Sequence, residues 1–412
     1  MSNPKNAVDP LIAPLVLGDH TVPGIWRYML PYEFLGLDFP SERESTCLDC
    51  PRIVSDNYRQ DYRCCTYFPK VPNYMLGLAF QNDKSTRPLI KQQLKSRFLL
   101  PEGMQESARM YADFIEQVAK EEFGQGEKTL CPYLNKENGY CGIYLYRNSV
   151  CSTFFCKNNH GDKGQKFWDE ITTLVMQIEL ALSQWSLEEI GFDYSSYISR
   201  LNKTGNQIDK TFEPQTRKWS EKTYNYLWGS DVGNELDIYR ECANVIEKNR
   251  NNLWEIANSV NITESIEYEK SANKLVLKKY KDEIPPDGSL DDITVSPQDI
   301  YKDVVKKHHN MWSLPNSPLV LNSKVVLSNS TRGNKKLYEV SLKKRKVGNA
   351  IEWTCSVEKG VFESLEIFKQ MIMPGFDTME KIRSLTGEDS KIFLSEWFSK
   401  NVLVKKIPPK AS

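Results

Sequence analysis

Cys131-Pro132-Tyr133-Leu134, then Gly139-Tyr140-Cys141-Gly142-Ile143-Tyr144, then Arg147 and Cys151, then Phe154-Phe155-Cys156: these residues follow one another in one short run of the chain. A second set of cysteines lies upstream, as Cys47-Leu48-Asp49-Cys50 and the neighbours Cys64-Cys65. A C-x2-C turn lets two thiolates grip one ion, and the remaining ligands then come from elsewhere in the fold. Adjacent thiolates point different ways, so Cys64 and Cys65 are expected to serve different ions, or one ion and the interior. The candidate ligands are therefore Cys47, Cys50, Cys64, Cys65, Cys131, Cys141, Cys151 and Cys156, enough for two four-cysteine sites or for one with structural thiols left over. Thiolate donors of this kind favour zinc or an iron–sulfur cluster over magnesium, calcium or manganese.

The compartment bears on that reading. Leu11 to Leu17 is apolar, but Pro14 interrupts it and only Lys5 precedes it, so no export signal is expected. A cytoplasmic chain keeps its thiols reduced, and its ten cysteines then argue for metal rather than disulfides. A metal on four thiolates carries net negative charge, which Arg63 and Arg147, both inside the clusters, are placed to meet with N–H groups bonded to the sulfurs. Arg52, Arg59 and Lys70 lie nearby in sequence. His160, in a polar turn just past Cys156, reads as a surface histidine. Cys242 and Cys355 fall on apolar stripes, one helical and one of strand period, and read as core thiols.

The order of residues from Cys131 to Cys156 closely resembles the YkgJ-like cysteine-cluster proteins. That family is described as a zinc- or iron-chelating domain with eight cysteines, a C-x-I-Y-x-x-R order in its second half and a Cys-Cys pair ending its first. The resemblance covers roughly residues 44–160. This chain departs from the family in the long insert between Cys50 and Cys64, and in Asn148 where the family has proline after the arginine. The resemblance implies a chelated metal and says little about activity.

Outward from the clusters, the chain reads as α+β. Residues 1–46 suggest irregular chain and short strands. A helical interval is expected after the first cluster, starting near Thr86 and Pro88 and carrying Met104, Met110, Phe114, Ile115 and Val118 at helical spacing. Phe167, Ile171, Leu174, Ile178, Leu182 and Trp185 make the clearest helical stripe, stopped by Gly191. A second helix is expected over about 235–258, with Ile238, Cys242, Val245 and Ile256 on one side. Residues 195–230 show no clean period. Proline, glycine and acid over 283–297 mark a linker. Beyond it, Val325–Leu327, Leu337–Leu342 and Ile351–Val357 read as strands, followed by helices near 361–372, 377–386 and 389–400 and a last strand from Val402 to Ile407. That order resembles a winged-helix or similar small domain. The expected division is a cysteine-cluster domain over 1–160, a helical domain and linker over 161–300, and a small α+β domain over 301–412.

Several functions find no support in the sequence. Lysine plus arginine number 54 and aspartate plus glutamate 54, so there is no global basic field for nucleic acid. Lys343-Lys344-Arg345-Lys346 reads as a charged hairpin tip, and His308-His309 as solvated surface. No apolar run reaches the roughly 18–20 residues that a membrane span needs. There is no Gly-rich phosphate loop, no H-E-x-x-H and no G-x-S-x-G. The expectation is a metal-binding protein whose zinc or iron–sulfur centre is structural, with a protein or peptide as its further partner. The alternative is an iron- or iron–sulfur-dependent enzyme that modifies a protein or peptide. Its basis is that similar cysteine clusters occur in proteins termed lysine N-methylases.

Overall fold

The computed structural model describes residues 9–37 apart from 19, then 39, 65–119, 127–155, 161–205, 210, 213, 218–263, 296–312, 319–332, 335–343, 351–370, 376–387, 390–400 and 402–405. It is α+β. Its helices are α1 (Trp26–Met29), α2 (Tyr32–Leu35), α3 (Asn73–Asn82), α4 (Arg87–Lys95), α5 (Ala108–Ala119), α6 (Ser149–Thr153), α7 (Gly161–Glu189), α8 (Tyr194–Gly205), α9 (Glu221–Trp228), α10 (Glu235–Lys248), α11 (Leu253–Ser259), α12 (Pro297–Trp312), α13 (Lys359–Ile367), α14 (Phe376–Thr386) and α15 (Ser390–Ser399). The strands are β1 (Leu15–Leu17), β2 (His20–Val22), β3 (Leu99–Leu100), β4 (Gly103–Met104), β5 (Leu319–Leu321), β6 (Val325–Arg332), β7 (Lys335–Lys343), β8 (Ile351–Val357) and β9 (Leu403–Lys405).

Two compact units divide the chain. One comprises Met1–Cys156 with Trp168–Asp303, the other Lys157–Phe167 with Val304–Ser412. The described cysteines from Cys65 to Cys242 and the helices α8 to α11 belong to the first of these units. Two features join them. Residues Asn73 to Ala79 of α3 are all buried, and α3 packs along α10. At Gly77 an added Cβ would sit 1.9 Å from the Tyr239 carbonyl oxygen, so only glycine lets the two helices approach this closely. Asn73 ties the start of α3 to two other elements: its amide donates to the Pro101 carbonyl (3.2 Å) and to the Ser183 carbonyl of α7 (3.1 Å).

The helical interval expected from Thr86 onward is interrupted. α4 ends at Lys95, and the β3–β4 hairpin intervenes before α5. Pro101 removes a donor and Gly103 sits at φ +121°, a backbone that a helix cannot contain. Likewise the helix expected over 235–258 is two, because the chain turns through Asn249 and a short 3-10 segment at Arg250–Asn252. Residues 195–230, which lack a clean period, contain α8 and α9, the latter capped by Ser220 accepting from the Thr223 amide. α7 matches its stripe: Phe167, Ile171, Leu174, Ile178 and Leu182 are buried, while Trp185 is half-buried. Gly191, at φ +80°, ends it, with the Gly191 and Phe192 amides donating to the carbonyls of Glu188 and Leu187.

In the second unit β6, β7 and β8 form an antiparallel sheet, and β5 pairs with β9. β8 alternates as expected, with Trp353, Cys355 and Val357 packed on a core of Val340, Leu365, Phe368, Ile382, Phe393 and Trp397. The strand β5 carried no distinct sequence signal. Lys344 to Lys346 and the side chains of His308 and His309 lie outside the described residues. Among the described residues no helix is long and apolar enough to cross a membrane.

Candidate metal centre

Of the eight candidate ligands, Cys65, Cys131, Cys141 and Cys151 are described, and each is a half-buried thiol outside any disulfide. Cys47, Cys50, Cys64 and Cys156, with Arg63 and His160, lie outside the described residues. Cys65 comes from the first sequence cluster and the other three from the second, and the fold brings Cys65 to Cys131. The Cys131 amide donates to the Cys65 carbonyl at 2.7 Å. Next to that contact, Gln117 of α5 donates its amide to the Thr66 hydroxyl (3.0 Å) and accepts from the Thr129 hydroxyl. All three residues of this bridge are buried.

Local chain chemistry returns Cys141 to Cys131. The Leu134 amide bonds the Cys131 carbonyl, the Asn135 amide bonds the Tyr140 carbonyl, and the Gly142 amide bonds the Tyr133 carbonyl at 2.8 Å. Leu134 and Cys141 form an antiparallel bridge. At each end a backbone N–H two residues on donates to a sulfur, from Tyr133 to Cys131 and from Ile143 to Cys141. Such N–H···S contacts favour a thiolate.

Cys151 sits on α6. The Asn148 side chain caps this helix, accepting from the Cys151 amide at 3.2 Å, a role that asparagine fills well. α6 is anchored to α7 by Glu179, whose carboxyl accepts from the Ser149 amide (2.9 and 3.1 Å) and from the Ser149 hydroxyl (2.8 Å). Thr153 adds a hydroxyl contact to Thr172.

Electrostatics draw the four thiols into one neighbourhood. Burial pushes the Cys131 thiol well up, and potential thiolates at Cys151, Cys141 and Cys65 push it further. Burial likewise takes Cys151 up to about 12, with Cys141 and Cys65 adding to the rise. Arg147 opposes the shift at both Cys141 and Cys151. Its guanidinium lies over the Tyr144 ring at 3.8 Å and donates to the Thr21 carbonyl at 3.0 Å. Its buried Nε has no hydrogen-bond partner among the described residues. Burial also pushes the Glu179 carboxyl up to about 8, against the two Ser149 donors that lower it. Cys242 is fully buried in α10 and Cys355 is half-buried in β8.

These residues suit a thiolate-bound cation. Several sulfurs gathered in one buried place repel one another as thiolates and stay protonated, and a bound metal ion reverses that by deprotonating its ligands outright. Soft sulfur donors with N–H···S contacts and an arginine beside them suit zinc or iron. Among the described residues, however, no three His, Cys, Asp or Glu side chains converge closely enough to hold an ion.

A cavity of about 290 Å³ opens beside α6. Asn148 and Val150 form part of its wall, together with Tyr67, Glu102, Gln177 and Glu179. Glu102 is held by the hydroxyls of Tyr194 (2.6 Å) and Tyr197 (3.1 Å). Sequence reasoning missed this site, although one signal for it was there to find: Gln177 and Glu179 stand inside the apolar run Val175-Met176-Gln177-Ile178-Glu179-Leu180. Comparison with protein-family models, with curated proteins and with solved structures found no match to this chain.

Proposed function

We propose that the chain is a metal-binding protein that holds zinc or an iron–sulfur centre through Cys47, Cys50, Cys64, Cys65, Cys131, Cys141, Cys151 and Cys156. In this reading the metal is structural and clasps two distant segments of one unit. The observation that carries it is the meeting of the two cysteine segments at the Cys131–Cys65 backbone bond, with four thiols in mutual electrostatic reach. Arg147 is the cation whose charge meets that of the sulfurs, as its opposition to the thiol shifts at Cys141 and Cys151 supports. A filled zinc site would contribute folding energy and no chemistry. The second unit is in this reading a small winged-helix-like domain that meets a protein or peptide partner.

A second reading is favoured by the cavity at α6: an iron- or iron–sulfur-dependent enzyme that modifies a protein or peptide. Asn148 and Val150, three and one residues before Cys151, line that cavity, so a ligand there would lie next to a metal-bearing helix. Elemental analysis and the visible absorption spectrum of anaerobically purified protein test both readings. Stoichiometric zinc without colour supports the structural one, and charge-transfer absorption selects iron–sulfur. Metal well below about one ion per chain overturns both.

A further inference from the structure

The side chains that wall the cavity beside α6 divide by whether their hydrogen-bond donors are already used. The Ser183 hydroxyl donates to the Glu102 carbonyl at 2.9 Å, and the Tyr194 hydroxyl to the Glu102 carboxylate at 2.6 Å. Three other donors on the wall have no acceptor among the described residues: the Tyr67 hydroxyl, the Lys70 ammonium and the Asn148 Nδ2. Asn148 is 2% exposed, and its Oδ1 takes the Cys151 amide, which fixes which edge of the side-chain amide carries the free N–H groups. A buried N–H left without an acceptor costs stability, so natural sequences keep one where something else supplies the acceptor. The Tyr67 ring is set edge-on to Phe114 at 5.5 Å. Burial, then the charges of Glu106, Cys151 and Glu179, push its hydroxyl well up, so it stays a donor. Lys70 and Leu180 are exposed, which places them at the mouth.

The carboxyl groups of the wall, by contrast, already hold donors. Glu102 receives the hydroxyls of Tyr194 and Tyr197 on its two oxygens, and Glu179 receives the Ser149 amide and hydroxyl. Burial takes Glu179 up to about 8, so at pH 7 it is largely uncharged and repels an anion little. Donor-only ligands, ammonium and guanidinium, offer nothing to the three free donors. An alcohol offers one oxygen. A carboxylate offers two, with about four lone-pair sites, and the charge that Lys70 answers. Much of the remaining wall is apolar: Val71, Met104, Val150, Met176 and Leu180. At about 290 Å³ the volume lies at the low end for ligand sites, enough for a short chain. We propose that this cavity binds a short-chain aliphatic carboxylate, its oxygens on the Tyr67 hydroxyl, the Lys70 ammonium and the Asn148 amide and its chain along the apolar wall. The same chemistry is carried by a free acid and by the C-terminal carboxylate of a peptide that ends in an aliphatic residue. Binding of this kind does not depend on whether the cysteines hold metal.

The test is a calorimetric titration of the full chain, purified with its metal, using pentanoate, pentanol and n-pentylammonium. Pentanoate should bind, with the other two weaker by about ten- to a hundredfold, the factor expected when charge-assisted hydrogen bonds are lost. A tripeptide ending in valine runs as a separate arm, with its C-terminus free and amidated. Preference for the free-ended peptide over pentanoate assigns the ligand to a polypeptide end, and the reverse to a small acid. Lys70→Met keeps the apolar stem of an exposed side chain and removes its charge. It should weaken pentanoate by about tenfold or more and leave pentanol unchanged. Tyr67→Phe keeps the ring against Phe114 and should also weaken pentanoate by about tenfold. Lys70→Met serves alone if Tyr67→Phe does not fold. Metal content is measured on every variant, so a failure of the metal reading is seen separately. Equal binding of pentanoate and pentanol, tighter binding of the amine, no heat with pentanoate at about 10 mM, or unchanged affinity in the variants would overturn the proposal.

Discussion

Replacing Glu179 with alanine tests whether the long helix α7 holds the cysteine helix in place. Glu179 is 4% exposed, and its carboxyl receives the Ser149 amide and the Ser149 hydroxyl at the start of α6, two residues before Cys151. Ser149 is itself fully buried, so its amide cannot turn to water when the acceptor is removed. An unsatisfied buried amide costs about 1–3 kcal/mol, and the hydroxyl bond contributes about 1. Loss of the one buried γ-methylene adds about 1 kcal/mol. Glu179→Ala should therefore destabilise the fold by about 3–5 kcal/mol. Because burial takes this carboxyl up to about 8, it is largely neutral at pH 7, and charged-pair energies do not enter. Glu179→Gln retains one acceptor oxygen and should lose less than half as much. If Cys151 is a ligand, loosening α6 should also cost about 10–100-fold in metal retention. Urea unfolding of the metal-loaded protein reads the first effect, and a timed chelator challenge reads the second. A loss below about 1 kcal/mol together with wild-type metal retention would refute the anchoring role.

Cys131→Ser should lower metal content, since a neutral hydroxyl replaces a thiolate, whereas Cys242→Ala and Cys355→Ala should retain it. Metal loss in either alanine variant, read by elemental analysis, would break the ligand assignment. Gly77→Ala places a methyl 1.9 Å from the Tyr239 carbonyl oxygen and should cost about 2–4 kcal/mol in chemical denaturation as α3 and α10 separate; an unchanged midpoint would mean the crossing is not tight. Burial raises the Glu106 carboxyl to about 7 in the folded protein, with Lys70 pulling the other way. The folded state thus holds this proton more tightly than the unfolded chain. The stability it confers is complete below the unfolded value, near pH 4.5, and is lost as pH rises through about 7. Glu106→Gln should match wild type near about pH 4.5 and exceed it by about 1–3 kcal/mol near about pH 8, and a gap that does not grow with pH would count against that burial.

The second unit was the more legible from sequence. Its strands alternate over enough residues to be read singly, as in Trp353, Cys355 and Val357 against Thr354 and Ser356. Helices α13, α14 and α15 each present an apolar face to one core. The first unit was less legible because its interruptions are backbone events. Residues 86–118 keep an apolar spacing near helical, but Pro101 and Gly103 turn the chain into a hairpin whose reason lies elsewhere in the fold: the Asn73 amide donates to the Pro101 carbonyl, and the Met104 amide bonds the Val71 carbonyl. β5 is three residues long and exists because β9 pairs with it across more than eighty positions of chain, a contact that no local pattern encodes.

The cysteines were legible as residues, and the spacing rule that singles them out also limits what it can say. It names donors without stating where the backbone takes them. The bond from the Cys131 amide to the Cys65 carbonyl and the Gln117 bridge between Thr66 and Thr129 supply that placement, and neither carries a cysteine-like signature. The cavity shows the same limit from the other side. A helix read by its apolar stripe is assumed to turn its polar face to water. α7 does not: Gln177, Glu179, Ser183, Gln184 and Ser186 are buried together with the stripe. Each of these groups needs a partner inside the protein, and several find one, Glu179 at Ser149 and Ser183 at the Glu102 carbonyl. Gln177 Oε1 finds none among the described residues. A long helix with polar residues on its buried side is thus a sequence sign of a second packed layer or of a site, and α7 meets both. Its Glu179 fixes the turn that carries Cys151, while Gln177, two residues earlier, faces the cavity that the same turn helps to wall.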